Sequence, residues 1–408
     1  MNPGFSGRGY GVGSVRRPRR IATPFLAALL PVLLVVGVWL GGHPEYLPGF
    51  ARDVLVQDDQ GRVYDEAIDE IADNFYRPVD RDQLLDESLA GAVKSLDDRF
   101  STYFDPKAYS EFDEATRGAF EGVGMTVAES ERGLRVVTVF DGSPALAAGI
   151  RAGDVITEVD GESLQGQTAE QATTRIKGKA GTPVKLTIVS GSRPPRTVEL
   201  KRARVDVPVV ESGMERSGGR RIGHVRLFSF TSGAHGELRD AVDDLLDKGA
   251  DGIVLDLRDN GGGLLGEAVL VSSIFIDDGP VVSTKGRSRP RRVLEASGDA
   301  IDGDVPVAVL VDRESASASE IVAGALQDRG RAVVVGTRTF GKGVFQEVTE
   351  LPNGGALDLT VGEYFTPKGR NLGGKGVQPS VAARDDAATK NRDEALEVAV
   401  RTVAREGT

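Results

Sequence analysis

The stretch that decides the fold is residues 307–330, VAVLVDRESASASEIVAGALQDRG. An apolar run through Val311 ends at Asp312, small residues follow, and Ile321, Val322 and Leu326 then recur at helical spacing. This reads as a strand, a tight turn and a helix. A serine at such a junction is exposed, and the free N–H groups at a helix start can hold an oxyanion. Ser, Ala and Glu are also ordinary capping residues, with Glu320 favouring the helix dipole, so the segment alone does not make a catalytic site.

Around it, over 220–367, strand-like runs such as RIGHVRLFSF (221–230), GIVLDLR (252–258) and RAVVVGT (331–337) alternate with helical stretches such as GELRDAVDDLLDKG (236–249). That alternation is the signature of an α/β core. Residues 119–205 differ, with short Val/Ile-rich runs between Gly, Pro and Asp clusters, as in a compact β-rich domain. Residues 51–118 place Ile68, Ile71, Ala72 and Phe75, then Leu84, Leu85, Leu89, Val93 and Leu96, at helical spacing. The expected organisation is a basic tail (1–20), a membrane anchor (21–42), a helical segment (43–118), the β-rich domain (119–205), the α/β core (206–380) and a C-terminal helical segment (381–408). The helical stretches 62–96 and 393–403 are candidate dimerisation arms of a homo-oligomer, although such helices more often cover a core.

With 50 Lys and Arg against 61 Asp and Glu, the 408-residue chain carries a net charge of −11. It lacks the basic footprint that nucleic acid requires. Without cysteine it has no disulfides, thiolate metal sites or cysteine nucleophile. H-E-x-x-H and clustered histidines are absent, so no metal or other cofactor is expected, with only an all-oxygen magnesium site left open.

The charge is polarised. Residues 1–20 hold Arg8, Arg16, Arg17, Arg19 and Arg20 and no acid, and IATPFLAALLPVLLVVGVWL follows at 21–40. Twenty uncharged residues in a helix reach across a hydrocarbon core about 30 Å thick. Arginines before it and Glu45, Asp53, Asp58 and Asp59 after it put the N-terminus in the cytoplasm and the body outside. A cleaved signal peptide would release the body as a secreted protein, but only Gly41 and Gly42 offer a small-residue cleavage site, and the retained anchor is favoured.

The second informative stretch is RAVVVGTRTFGKGVFQEVTE (331–350). Gly336, Gly341 and Lys342 imitate a phosphate-binding loop, yet Gly343 replaces the magnesium-binding hydroxyl and GVFQEV reads as a strand instead of a helix. Phe340, Val344 and Phe345 surround the lysine in sequence, and burial among them would disfavour its charge. None of the three histidines, His43, His224 and His235, has a triad context, and no G-x-S-x-G is present.

Together these stretches, with DDRFSTYFDPKAYSEF (97–112), FEGVGM (120–125), LDLRDNGGG (255–263) and LTVGEYFTPKGRNLGGKGVQPS (359–380), resemble the carboxy-terminal processing, tail-specific proteases. These are S41-type Ser-Lys peptidases with a PDZ domain. The resemblance covers about residues 60–408 and implies an α/β fold, a ClpP/crotonase-like core with an inserted PDZ domain. It makes Ser317 the nucleophile, Lys342, twenty-five residues on, its general base, and Gln346 the residue that orients the lysine. Oxyanion donors would be the N–H groups of Ala318 and Gly262. Where relatives commonly carry N-P-G-G, this chain has Asn260-Gly261-Gly262-Gly263, which loosens the register of the second donor. GSPALAAGIRAGDVITEVDGESL (142–164) resembles the rest of a PDZ domain, in which Gly122, Val123, Gly124 and Met125 would receive a peptide's terminal carboxylate.

The implied activity is a serine endopeptidase that binds protein C-termini and cleaves through an acyl-enzyme. Its base must be a lysine deprotonated far below the ordinary value of about 10.4, a shift worth about 4 kcal/mol that desolvation has to supply. The rival from another class is a catalytically silent, membrane-anchored PDZ scaffold, against which the intact Ser317, Lys342 and Gln346 argue.

Overall fold

A computed structural model describes residues 59–386, 388–389 and 392–406, which fall in two compact units divided between Ser88 and Leu89. The expected tail and anchor, residues 1–42, lie outside the described residues. Among the described residues no helix is long and apolar enough to cross a membrane. The first unit holds helix α1 (Asp59–Asn74) and the start of α2 (Arg81–Lys94), joined by an Arg81–Asp69 ion pair and a contact between the Tyr64 and Ser88 hydroxyls.

The second unit opens with β1 (Thr102–Phe104) and α3 (Pro106–Arg117). Asp105 caps α3 by accepting from the Ala108 N–H at 2.8 Å, Pro106 takes the first turn, and Gly118 ends the helix in the left-handed region. Strand β2 (Ala119–Gly122) then leads into the β-rich domain: β3 (Met125–Ser130), β4 (Gly133–Val139), the single turn α4 (Pro144–Ala147), β5 (Val155–Val159), β6 (Glu162–Ser163), α5 (Ala169–Ile176), β7 (Pro183–Val189) and β8 (Arg196–Lys201). Strand β9 (Ala203–Asp206) returns to pair with β2, so entry and exit of the domain are bound to each other. Its sheet runs β3-β4-β5-β7-β8, and alternate residues Leu134 and Val136, Val184, Leu186 and Ile188 form its core. Among the described residues strand β3 is an edge, paired with β4 alone.

The core continues with β10 (Val210–Ser217), β11 (Arg220–Leu227), α6 (Ala234–Asp247), β12 (Gly252–Asp256), α7 (Leu265–Ser273), β13 (Pro280–Lys285), β14 (Arg292–Glu295), β15 (Val307–Val311), α8 (Ala318–Asp328), β16 (Val333–Gly336), β17 (Val344–Glu350), β18 (Ala356–Phe365), β19 (Val381–Ala382) and α9 (Glu394–Glu406). The main sheet, β10-β11-β12-β15-β16-β19, is parallel from β11 onward. Its strands are buried on both faces and so read as unbroken apolar runs. Ile253, Leu255, Val309 and Val334 face Leu238, Val271, Ile321 and Val322, while Val254, Ala308, Leu310 and Val335 face Ala395, Ala399, Val400 and Val403. Helix α9 therefore buries its apolar side against this core, the more usual of the two readings of 393–403. A second, antiparallel sheet places β18 between β1 and β13 and hangs β17 on β18. As the sequence suggested, GVFQEV is a strand, so no helix follows directly on residues 341–343.

The first turn beyond β12 is fixed by charge. Asp256 is fully buried, its carboxylate 3.1 Å from His224 Nε2 and 2.7 Å from Arg258 Nη2. Burial works against its charge, but His224 and Arg258 outweigh it and hold the carboxyl at about 2. Arg258 also reaches Asp393 at 2.8 Å, in the turn ahead of α9. Removing one partner of a buried pair strands the other, so Arg258→Met is expected to cost about 3 kcal/mol, read as a lower urea midpoint with an unchanged slope.

Candidate active site

The junction between β15 and α8 carries Ser317, the serine that the sequence singled out. Ser317 has φ 55° and ψ −113°, a region that costs a non-glycine residue about 1–3 kcal/mol and persists only where the surroundings impose it. They do so through four groups. Ser315 Oγ donates to the Leu257 carbonyl at 2.7 Å, Ser319 Oγ to the Asn260 carbonyl at 2.8 Å, and the Ala316 N–H to the same Asn260 carbonyl at 3.1 Å. The neighbouring serines are thus bound to the turn after β12, while Ser317 lines a cavity that neither of them lines.

The fourth group is Glu320, fully buried one turn into α8. Its Oε2 accepts the Ser317 N–H at 3.1 Å and the Lys342 N–H at 2.8 Å, and its Oε1 accepts the Gly341 N–H at 2.8 Å and the Thr339 hydroxyl at 2.5 Å. One oxygen therefore bridges the backbones of serine and lysine across 25 residues of chain. Burial pushes this carboxyl up against the pull of its four donors. The sequence suggested only a dipole partner here, and nothing in the spacing of a helix start reveals a tether to a distant loop.

Ser317, Ala318, Lys342, Gln346, Asp358 and Tyr364 line one cavity of about 370 Å³, walled otherwise by apolar groups including Phe112, Phe230, Leu264, Ile321 and Phe345. The Tyr364 hydroxyl donates to the Lys342 carbonyl, fixing the lysine backbone from β18. Burial lowers the Lys342 ammonium below its ordinary value, as the sequence required, but the surroundings differ from those expected. Phe340 is 45% exposed and turned toward Arg99, and it is the Phe100 ring, 5.0 Å from Nζ, that covers the amine. Asp358, Asp98 and Glu320 oppose the shift, and burial of Asp358 raises its own carboxyl in turn. Gln346 is brought to the same cavity, where its Nε2 donates to Thr360 Oγ1 at 2.9 Å.

The glycine run after β12 lies against the serine: a Cβ on Gly262 would stand 2.8 Å from Ser317 Cβ and 3.0 Å from the Ala318 nitrogen. Its own N–H, however, donates to Asn260 Oδ1 at 2.9 Å. Gly261 and Gly263 line the cavity instead. Phe230 donates to the Gly262 carbonyl and accepts from the Leu264 N–H, and in such a parallel bridge the N–H of the residue between, Gly263, points the other way. The Ala318 N–H has no acceptor among the described residues. His224 and His235 pair with Asp256 and Glu267 and do not line this cavity.

A second, apolar cavity of about 470 Å³ lies between edge strand β3, helix α5 and helix α3, lined by Gly122, Val123, Gly124 and Met125 among others. Gly124 takes φ +82° with a Cβ position only 2.2 Å from Ser143 Cβ, so no side chain fits. The N–H groups of Val123 and Gly124 have no acceptor among the described residues. Ala115, Ser229 and Thr231 line both cavities.

A strained serine at a strand-to-helix turn, a desolvated lysine and open N–H groups in one apolar cavity define a serine peptidase of the Ser-Lys kind. Residues 221–383 match peptidase family S41 and residues 115–189 match the PDZ domain. The chain is 35% identical to a carboxy-terminal-processing protease of Bartonella bacilliformis, over 86% of this chain and 81% of that one. It is 36% identical to the carboxy-terminal processing protease CtpA of Bacillus subtilis, over 78% and 68%. A solved structure, the photosystem II D1 C-terminal processing protease, superposes with a TM-score of 0.50 at 29% identity, covering 86% of this chain and all of that one. The chain belongs to peptidase family S41 and is a serine protease of the carboxy-terminal processing type.

Because an amide cannot accept from donors on both of its arms, Glu320→Gln is expected to lower stability by about 3 kcal/mol and to abolish turnover of a fluorogenic peptide. Differential scanning calorimetry beside the peptide assay measures both.

Proposed function

We propose that this chain is a membrane-anchored endopeptidase with an extracytoplasmic body, held by residues 21–42, that grips unstructured C-terminal tails and cleaves them with Ser317 and Lys342. The observation that carries this reading is the single Glu320 oxygen that bonds both reactive residues beside one apolar cavity. Neutral Lys342 Nζ takes the Ser317 Oγ proton as Oγ attacks the scissile carbonyl carbon. The N–H groups of Ala318 and Gly263, in place of Gly262, receive the negative oxygen. Collapse of the tetrahedral species breaks the C–N bond, and the lysine proton passes to the leaving amine. Water, deprotonated by Lys342, then hydrolyses the Ser317 ester. Gln346 orients the amine.

Tail capture rests on the PDZ groove. A peptide adds to the open edge of β3, its carboxylate meets the free N–H groups of Val123 and Gly124 in the 122–125 turn, and its apolar side chains fill the space against Ile176. Affinity then comes from the terminus and not from the sequence at the cut.

Ser317→Ala and Lys342→Ala are each expected to lose more than about 1000-fold in kcat/KM while still binding a peptide with an apolar C-terminus; wild-type turnover in both would refute the dyad. Since the deprotonated amine is the active form, kcat/KM is expected to rise tenfold per pH unit and level off at a midpoint below about 10.4. A profile that falls with pH over that range would exclude Lys342 as base.

A further inference from the structure

We propose that the Asp358 carboxylate is a specificity-determining group that receives a cationic side chain, lysine or arginine, beside the bond to be cut. This rests on the Ser-Lys reading above and names the substrates it favours. Strands β17 and β18 pair Gln346 with Thr360 and then Val348 with Asp358, a step of about 7 Å along one face of the ribbon. Gln346, Val348 and Asp358 all line the cavity that holds Ser317 and Lys342. Strand β18 thus carries Asp358 into the chamber, one pair beyond Gln346.

The carboxylate has nothing to hold there. It makes no hydrogen bond and no ion pair among the described residues, Lys342 included. Asp256 is more deeply buried, yet its partners hold it at about 2, whereas at Asp358 burial prevails over the pull of Lys342 and raises the carboxyl. A half-buried anion without donors is unfavourable in the empty enzyme, and a strand could carry threonine or leucine at this position without that penalty. A cation entering the cavity would relieve it.

Charge balance decides which ligand fits. Apart from Asp358, the lining residue that can carry charge near neutrality is Lys342. In its working form that amine is neutral, so the lining is then negative. The other walls, including Phe112, Phe230, Leu264, Ile321 and Phe345, are apolar and screen little. Under those conditions an ammonium or guanidinium is attracted, an apolar side chain is accepted without electrostatic gain, and a carboxylate is repelled. The long stems of lysine and arginine suit the same walls, since they bury methylenes and present their charge at the tip.

The test uses the full-length chain and fluorogenic peptides that share one apolar C-terminus, so that capture in the groove is the same for all. Lysine, norleucine or glutamate is placed in turn at each position next to, and next but one to, the cut, and kcat/KM is read on the plateau of the pH profile, where Lys342 is neutral. The wild-type enzyme is expected to favour lysine over glutamate about tenfold or more at one of these positions, Asp358→Asn to abolish the preference and Asp358→Lys to reverse it. The ratio within each variant cancels any general loss of rate, so a carboxylate that acted only on Lys342 or on the fold would leave it unmoved. No preference for lysine in the wild type, or a preference that survives in Asp358→Asn, overturns the proposal. Thermal unfolding checks that the variants fold, and Asp358→Asn, nearly isosteric, decides alone if Asp358→Lys does not. Ser317→Ala runs alongside: turnover surviving there would remove the Ser-Lys reading itself, whereas its inactivity beside a wild type indifferent to charge would remove only the role of Asp358.

Discussion

The hydrogen bonds of one buried carboxylate, Glu320, hold this active site together. An anion without solvent is tolerated only when donors surround it, and here two of the donors are the backbones of Ser317 and of Lys342. Satisfying the charge and bringing these two segments together are therefore one event. The strain at Ser317 is sustained by the same bond, together with the ties of Ser315, Ala316 and Ser319 to the turn after β12. The parallel sheet delivers both segments, because β15 and β16 are neighbours and their C-terminal ends open side by side.

Around Lys342 two influences compete. Burial drives the amine toward neutrality, while three carboxylates and the face of Phe100 favour its charge. Burial wins, and the ammonium lies below its ordinary value. A lowered amine is the direction that the proposed role as proton acceptor requires.

Local chemistry was legible in the sequence, and long-range pairing was not. The strand-to-helix turn at 312–318 and the glycine-flanked Lys342 show themselves through residue types a few positions apart, so the α/β core could be read directly, whereas Ser317 and Lys342 were paired only through the family resemblance. Which glycine turns its N–H toward the cavity depends on the residue opposite Phe230, a matter of register that three consecutive glycines conceal. Asp98, Phe100, Thr360 and Asp358 come to the lysine through the pairing of β1 with β18, elements more than 250 residues apart in places. An apolar neighbourhood for the lysine was rightly foreseen, with Phe345 in the cavity as expected, but Phe340 turns outward to Arg99 and Phe100 takes its place. The role of Asn260 was hidden in the same way: its side chain spans Leu227 and Gly262, a bridge between two strands' ends that its position before a glycine run does not disclose.

Ala115, Ser229 and Thr231 form a common partition between the groove under β3 and the chamber of Ser317. A change of size at any of these three residues therefore reshapes the groove and the chamber together, so neither cavity can be altered from this side without the other.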